Sequence, residues 1–193
     1  GAAPGSGKTT LAASFAQARA SKLLWYQVDA ADADPAALFH FLREAALGAG
    51  LSRAAKLPLL PAEGAVDLSV FAAQYFRCLY SLLPAGALFV LDDFQAAEGD
   101  SFAFVVRAAF EQLPDGVSVI ALSHTDPPPA FARQIANRTI AVVDAQALAF
   151  TRAESDELVR GRLAADEPTL AELHDRSSGW AAGLVLMLEH MCR

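Results

Sequence analysis

The chain has 193 residues, of which 54% are hydrophobic and 19% charged, and carries a formal net charge of −7. That balance describes a folded, well-buried chain and excludes a disordered one. It also argues against a segment that grips nucleic acid by neutralising phosphates, because Lys and Arg never cluster beyond isolated pairs.

The opening GAAPGSGKTT contains A-A-P-G-S-G-K-T at residues 2–9. This fits the phosphate-binding loop pattern, with Ala2 where Gly is more usual. Residues 9–20 predict a helix with Leu11, Phe15 and Ala18 on one face. KLLWYQV (22–28) reads as a buried strand. Asp34-Pro35 then reads as an N-cap and first-turn proline, opening a helix that carries Leu38, Phe41, Leu42 and Ala45 inward. Residues 48–63 read mostly as loop, and about 67–83 as a helix with Leu68, Phe71, Ala72, Tyr75, Leu79 and Leu82 on its apolar stripe.

ALFVLDD (87–93) is an apolar strand ending in two carboxylates. A helix over 101–113 follows, then the strand VSVIALS (117–123), stopped by Pro127-Pro128-Pro129. A short helix is expected near Phe131, and TIAVV (139–143) as the last strand. Strands alternating with helices predict an α/β fold with a parallel sheet covered on both faces. From Phe150 the pattern is helical only, starting with a T-x-x-E capping box at Thr151 and Glu154 and including a helix over 179–191. The expected division is residues 1–148 as a nucleotide-binding domain and 149–193 as the start of a small helical one. No apolar run is long enough to span a bilayer, and no secretory leader opens the sequence. A phosphate loop needs a strand leading into it, and none precedes residue 2. The expectation is a truncated piece of a longer protein, lacking its first strand, with exposed sheet edges and poor stability alone.

Gly5 and Gly7 permit backbone angles that turn consecutive N–H groups toward a polyphosphate, in a loop completed by Ala3, Pro4, Ser6 and Thr10. The helix after the loop adds the positive end of its dipole. Lys8 can reach the terminal phosphates, and the Thr9 hydroxyl suits a magnesium ligand. A carboxylate at the end of a neighbouring apolar strand, Asp92, suits magnesium held through water. Asp93 beside it suits a general base or water-orienting group. The bland alternatives are a glycine-rich turn and a turn-starting Asp pair; the two motifs in this order favour the site.

Asp29, Asp32 and Asp34 do not make an EF-hand loop, because the sixth and twelfth positions hold Asp34 and His40 instead of Gly and Glu. Helix capping is the better account of them. His124 after the third strand either reads a terminal phosphate or is a solvated residue before a proline turn. Trp180 stacks on a base or, more in keeping with an apolar helix, packs. Cys78 and Cys192, far apart in apolar helical contexts, read as buried free thiols of a reducing, cytoplasmic environment.

A-A-P-G-S-G-K-T-T (2–10), W-Y-Q-V-D-A-A-D-A-D-P (25–35), L-F-V-L-D-D-F-Q (88–95), L-S-H-T-D-P-P (122–128) and S-G-W-A-A-G-L (178–184) occur in an order that resembles one family over nearly the whole chain. It is the P-loop region of STAND ATPases of the maltose-regulon-activator (MalT-like, LuxR-type) kind, found in large bacterial transcriptional regulators. The resemblance implies an ATP switch with ATP or ADP and Mg2+ as cofactors, slow hydrolysis, and self-association in the ATP state. Sensor repeats and a DNA-binding effector are implied elsewhere in the full-length chain. Residues after 148 resemble the small domain that closes over the nucleotide. Three departures stand out: the absent strand before the loop, His124 where the family usually has Arg, and Gly179-Trp180-Ala181 where it has G-x-P. An imidazole does not supply the permanent forked charge of Arg, so a non-hydrolysing nucleotide-bound module is the alternative reading. Arg133 and Arg138 are candidates to complete the site by position alone. A small-molecule P-loop kinase is disfavoured, since the segment after the third strand is short and proline-rich and lacks an arginine-bearing lid.

Overall fold

Three short parallel strands organise the larger part of the computed structural model, which describes residues 2–19, 22–61 and 66–191. They lie in the order β1 (Leu23–Gln27), β2 (Leu88–Asp92), β3 (Ser118–Ala121). Leu23 pairs with Leu88, Gln27 with Asp92, and Leu88 in turn with Ser118. Every residue of the middle strand β2 is buried, as a strand covered on both faces requires. Its side chains alternate. Phe89 and Leu91 join Leu24 and Tyr26 in the main core, whereas Leu88 and Val90 join Ala12, Ala16 and Leu122 on the opposite face. The α/β class and the parallel sheet expected from the sequence are found.

The expected strand over 139–143 is not formed. A strand exists only where a neighbour completes its hydrogen bonds. β3 pairs with β2, and among the described residues no further strand lies beside it. The amides of Thr139 and Ile140 bond instead to the Gln134 carbonyl, at 2.9 and 3.2 Å, and Val143 is 57% exposed.

The helices α1 (Lys8–Arg19), α2 (Pro35–Gly48), α3 (Leu68–Tyr80) and α4 (Asp100–Glu111) cover the sheet segments, and a short α5 (Ala132–Ala136) follows β3. Two inward faces differ from those read in the sequence. In α1 the buried residues are Ala12 and Ala16, with Leu11 and Phe15 exposed. The two alanines let the backbone lie close over Leu88 and Val90, and that close fit outweighs the larger apolar stripe. In α2 it is Phe39 and not Phe41 that is buried; its ring lies 4.9 Å from that of Phe71 and 4.7 Å from that of Tyr75. Residues 48–63 hold a short 3-10 helix, Ser52–Lys56, whose Ala54 reaches the main core; 62 and 63 lie outside the described residues.

The three aspartates after β1 are caps. Asp29 and Asp32 form a reciprocal capping box on the 3-10 turn Ala30–Ala33, and the Asp34 carboxylate accepts from the Ala36 amide at the start of α2. Asp32 is buried, taking the Tyr26 hydroxyl at 2.5 Å and the Asp29 amide at 2.8 Å. Its burial raises the carboxyl above the ordinary carboxylate range, and the bonds from Tyr26 and Asp29 pull it part of the way back.

The described residues fall into two compact units, 11–141 and 2–10 together with 142–191. The second contains the glycine loop and the helices α6 (Ala145–Leu148), α7 (Arg152–Arg160), α8 (Glu167–Ser177) and α9 (Ala181–Met191). Its core is Val159, Leu170, Leu173, Leu184 and Leu188. The expected capping box of Thr151 and Glu154 opens α7. Among the described residues no helix is long and apolar enough to cross a membrane.

Two outcomes follow from this packing. Phe39→Ala is expected to lower stability by about 3–5 kcal/mol in urea titration. Phe41→Ala, at an exposed position, is expected to stay within about 0.5 kcal/mol. Because the Asp32 carboxyl is raised in the folded state, its protonated form favours folding, and that contribution is lost as pH rises through the folded value. The stability difference between parent and Asp32→Asn should therefore shrink, then reverse or level off, from about pH 4 upward; a difference that grows with pH contradicts the assignment.

Candidate functional site

The glycine loop is built by two residues in the left-handed region, Gly5 at φ 75° and Gly7 at φ 83°. An L side chain rarely adopts these angles, which is why glycine stands at both. Between them the Ser6 amide bonds back to the Ala3 carbonyl at 3.3 Å. Lys8 begins α1, and its ammonium turns onto the loop, donating to the carbonyls of Ala2 (2.5 Å) and Ala3 (3.0 Å) and to Ser6 Oγ (3.3 Å). Thr9 and Thr10 are exposed in the first turn of that helix. No acidic residue lies in the turn, so the positive end of the α1 dipole is uncompensated there.

The S-G-W-A-A-G-L segment lies against this loop. The Trp180 indole N–H donates to the Pro4 carbonyl at 3.1 Å, and the Ala182 amide donates to the Gly5 carbonyl at 3.0 Å. A Cβ on Gly5 would fall 2.5 Å from the Ala182 Cβ. Trp180 is 44% exposed, and the group its indole N–H meets is the loop itself. Sequence reasoning missed that contact, since nothing local marks two residues 176 positions apart as neighbours.

In the other unit the carboxylates sit at the carboxyl ends of the strands, where ligands of parallel α/β sheets bind. Asp92 is the last residue of β2 and is buried, with its Oδ1 accepting the Asp93 amide at 3.0 Å. Asp93 has left-handed backbone, φ 52° and ψ 42°, and an exposed carboxylate. Gln27 Nε2 donates to its Oδ2 at 2.6 Å, and Gln95 Nε2 to its Oδ1 at 3.1 Å. Gln95 Oε1 in turn accepts the backbone amide of His124 at 3.2 Å. The ends of β1 and β2 and the turn after β3 thus meet at Asp93.

Gln27 and Gln95 were not singled out in the sequence. Nothing in the sequence marks them, since the register that sets Gln27 beside Asp92 belongs to the folded sheet. Ala3, Pro4, Gly5, Ser6, Gly7, Lys8, Thr9 and Thr10 form one group, and Asp92, Asp93 and His124 a second. Arg133 and Arg138 are exposed, Arg138 with φ 57°. Cys78 is a half-buried free thiol, and Cys192 lies outside the described residues.

Replacing Gly5 tests the loop contact. Gly5→Ala combines an unfavourable φ with a collision against Ala182. It is expected to cost about 1–3 kcal/mol and to shift the emission of Trp180, read in a Trp25→Phe background; unchanged emission contradicts the contact.

No protein-family model matches the chain. It is 30% identical over 186 residues to the HTH-type transcriptional regulator MalT of Serratia proteamaculans. It is 29% identical over 186 residues to the protein of the same description from Yersinia enterocolitica. Each match takes in 95% of this chain and 20% of the relative, so the chain spans about a fifth of the length of the curated relatives it matches. Over nearly its whole length, then, the chain is similar to one segment of larger HTH-type transcriptional regulators described as MalT.

Proposed function

We propose that this chain is the ATP-binding, slowly hydrolysing switch region of a larger, signal-responsive transcriptional regulator. The observation that carries the reading is the loop: two left-handed glycines leading directly into a helix that begins with Lys8 and has no acidic first turn. Such a loop presents backbone N–H groups and the positive end of a helix dipole, which together fit a polyphosphate. Lys8 would leave the carbonyls of Ala2 and Ala3 for the phosphates. The Thr9 hydroxyl and the Asp92 carboxylate are each a donor of the kind a hard cation takes, and bound Mg2+ would supply charge neutralisation at the phosphates. Asp93 would orient the attacking water, and His124 would stand near the terminal phosphate. In this reading 1–148 is the nucleotide-binding domain and 149–193 begins the helical lid. Self-association accompanies ATP, with sensor repeats and a DNA-binding effector elsewhere in the full-length protein.

A non-hydrolysing, nucleotide-bound module is the second reading, favoured by one observation: His124 stands where a permanently charged, forked Arg would otherwise be expected. The two readings differ in phosphate release and agree on binding.

The test uses the full-length chain. At about a hundredfold over its dissociation constant, magnesium-ATP should add roughly 2.7 kcal/mol to stability, and Lys8→Ala should abolish the gain. Slow phosphate release selects the switch; binding without release selects the module; no stabilisation of the parent overturns both.

A further inference from the structure

The Asp93 carboxylate is held on two sides by groups from different elements. Gln27 comes from the end of β1 and Gln95 from the turn after β2, and each gives one amide N–H to a separate oxygen. A carboxylate has about four lone-pair positions, so two bonds fix its plane and leave room for a water on each oxygen. The backbone beneath is left-handed at a non-glycine residue, so Asp93 is fixed from the chain side as well. Gln95 cannot move independently, because its Oε1 holds the amide of His124. A shift of the turn after β3 therefore turns the Gln95 amide plane, and with it the donor to Asp93.

We propose that Gln27 and Gln95 are positioning residues for Asp93, and that Gln95 ties the orientation of its carboxylate to the turn at His124. This rests on the reading of Asp93 as the water-orienting group. Gln27 and Gln95 act through Asp93 and not on the nucleotide. The chain Gln27–Asp93–Gln95–His124 runs across the ends of all three strands, so whatever displaces the turn after β3 changes how Asp93 faces its water. Neither glutamine belongs to the apolar core, so the network can be altered without unfolding the sheet.

The experiment uses the full-length chain and two independent readouts. Without nucleotide, hydrogen exchange of the His124 amide reports the network directly. Gln95→Ala should speed it at least threefold, and so should Gln27→Ala, although Gln27 does not touch residue 124. With magnesium-ATP, Gln27→Glu and Gln95→Glu replace a donor by a repelling acceptor; each should lower phosphate release about tenfold with KM within twofold. Gln27→His, which restores an N–H donor, should recover most of the rate. Parental exchange in Gln27→Ala, or parental turnover in both Glu variants, overturns the proposal while ATP binding stands. A parent that binds ATP and releases no phosphate also overturns it, because no water is then positioned. A parent that binds no ATP removes the switch reading itself, and the exchange measurement still decides whether the four residues are linked.

Discussion

A strand buried on both faces can carry polar residues only at its ends, because a polar group midway along it would give up water and gain no partner. β2 obeys this rule: Leu88 to Leu91 supply apolar side chains alternately to two cores, and the first carboxylate comes at Asp92. The placement of the candidate chemistry follows from that constraint. Parallel pairing puts the carboxyl ends of β1 and β2 and the turn after β3 at the same edge. Gln27, Asp92, Asp93 and His124 consequently gather where the sheet stops.

The glycine loop shows the opposite economy. Its carbonyls are met by donors from elsewhere in the sequence. Three of those donors come from this chain: the Lys8 ammonium on Ala2 and Ala3, the Trp180 indole on Pro4, and the Ala182 amide on Gly5. A lysine that satisfies loop carbonyls is available to phosphate only by exchange of partners. The two bonds from the start of α9 are untouched by that exchange and keep the loop shaped.

Much of the fold was legible because it rests on local chemistry. The caps at Asp34 and Thr151 and the apolar runs of β1 to β3 are written in adjacent residues. What failed depended on neighbours distant in sequence. A 3.6-residue period does not say whether a helix packs through its large residues or its small ones, so Ala12 and Ala16 displaced Leu11 and Phe15. In α2, Phe39 and Phe41 are equally apolar, and only the rings of α3 select between them. TIAVV has strand composition but no ladder to join. At the site, the residue types Lys8, Asp92 and Asp93 were legible from motif spacing. The glutamines bonded to Asp93 were not, since an amide side chain at a strand end has no pattern of its own.

The bond from Trp180 to Pro4 spans 176 positions, and it lies in a unit made of residues 2–10 and 142–191. Contacts so distant along the chain are slow to form, because the intervening loop must close before they give any return. On a ribosome the glycine loop emerges long before the residues that hold it, and by the time those emerge 11–141 can already have folded as a unit of its own. The loop therefore takes its final shape late in folding, and a translation product cut short before residue 180 carries the glycine loop without the hydrogen bonds from Trp180 and Ala182 that hold its carbonyls.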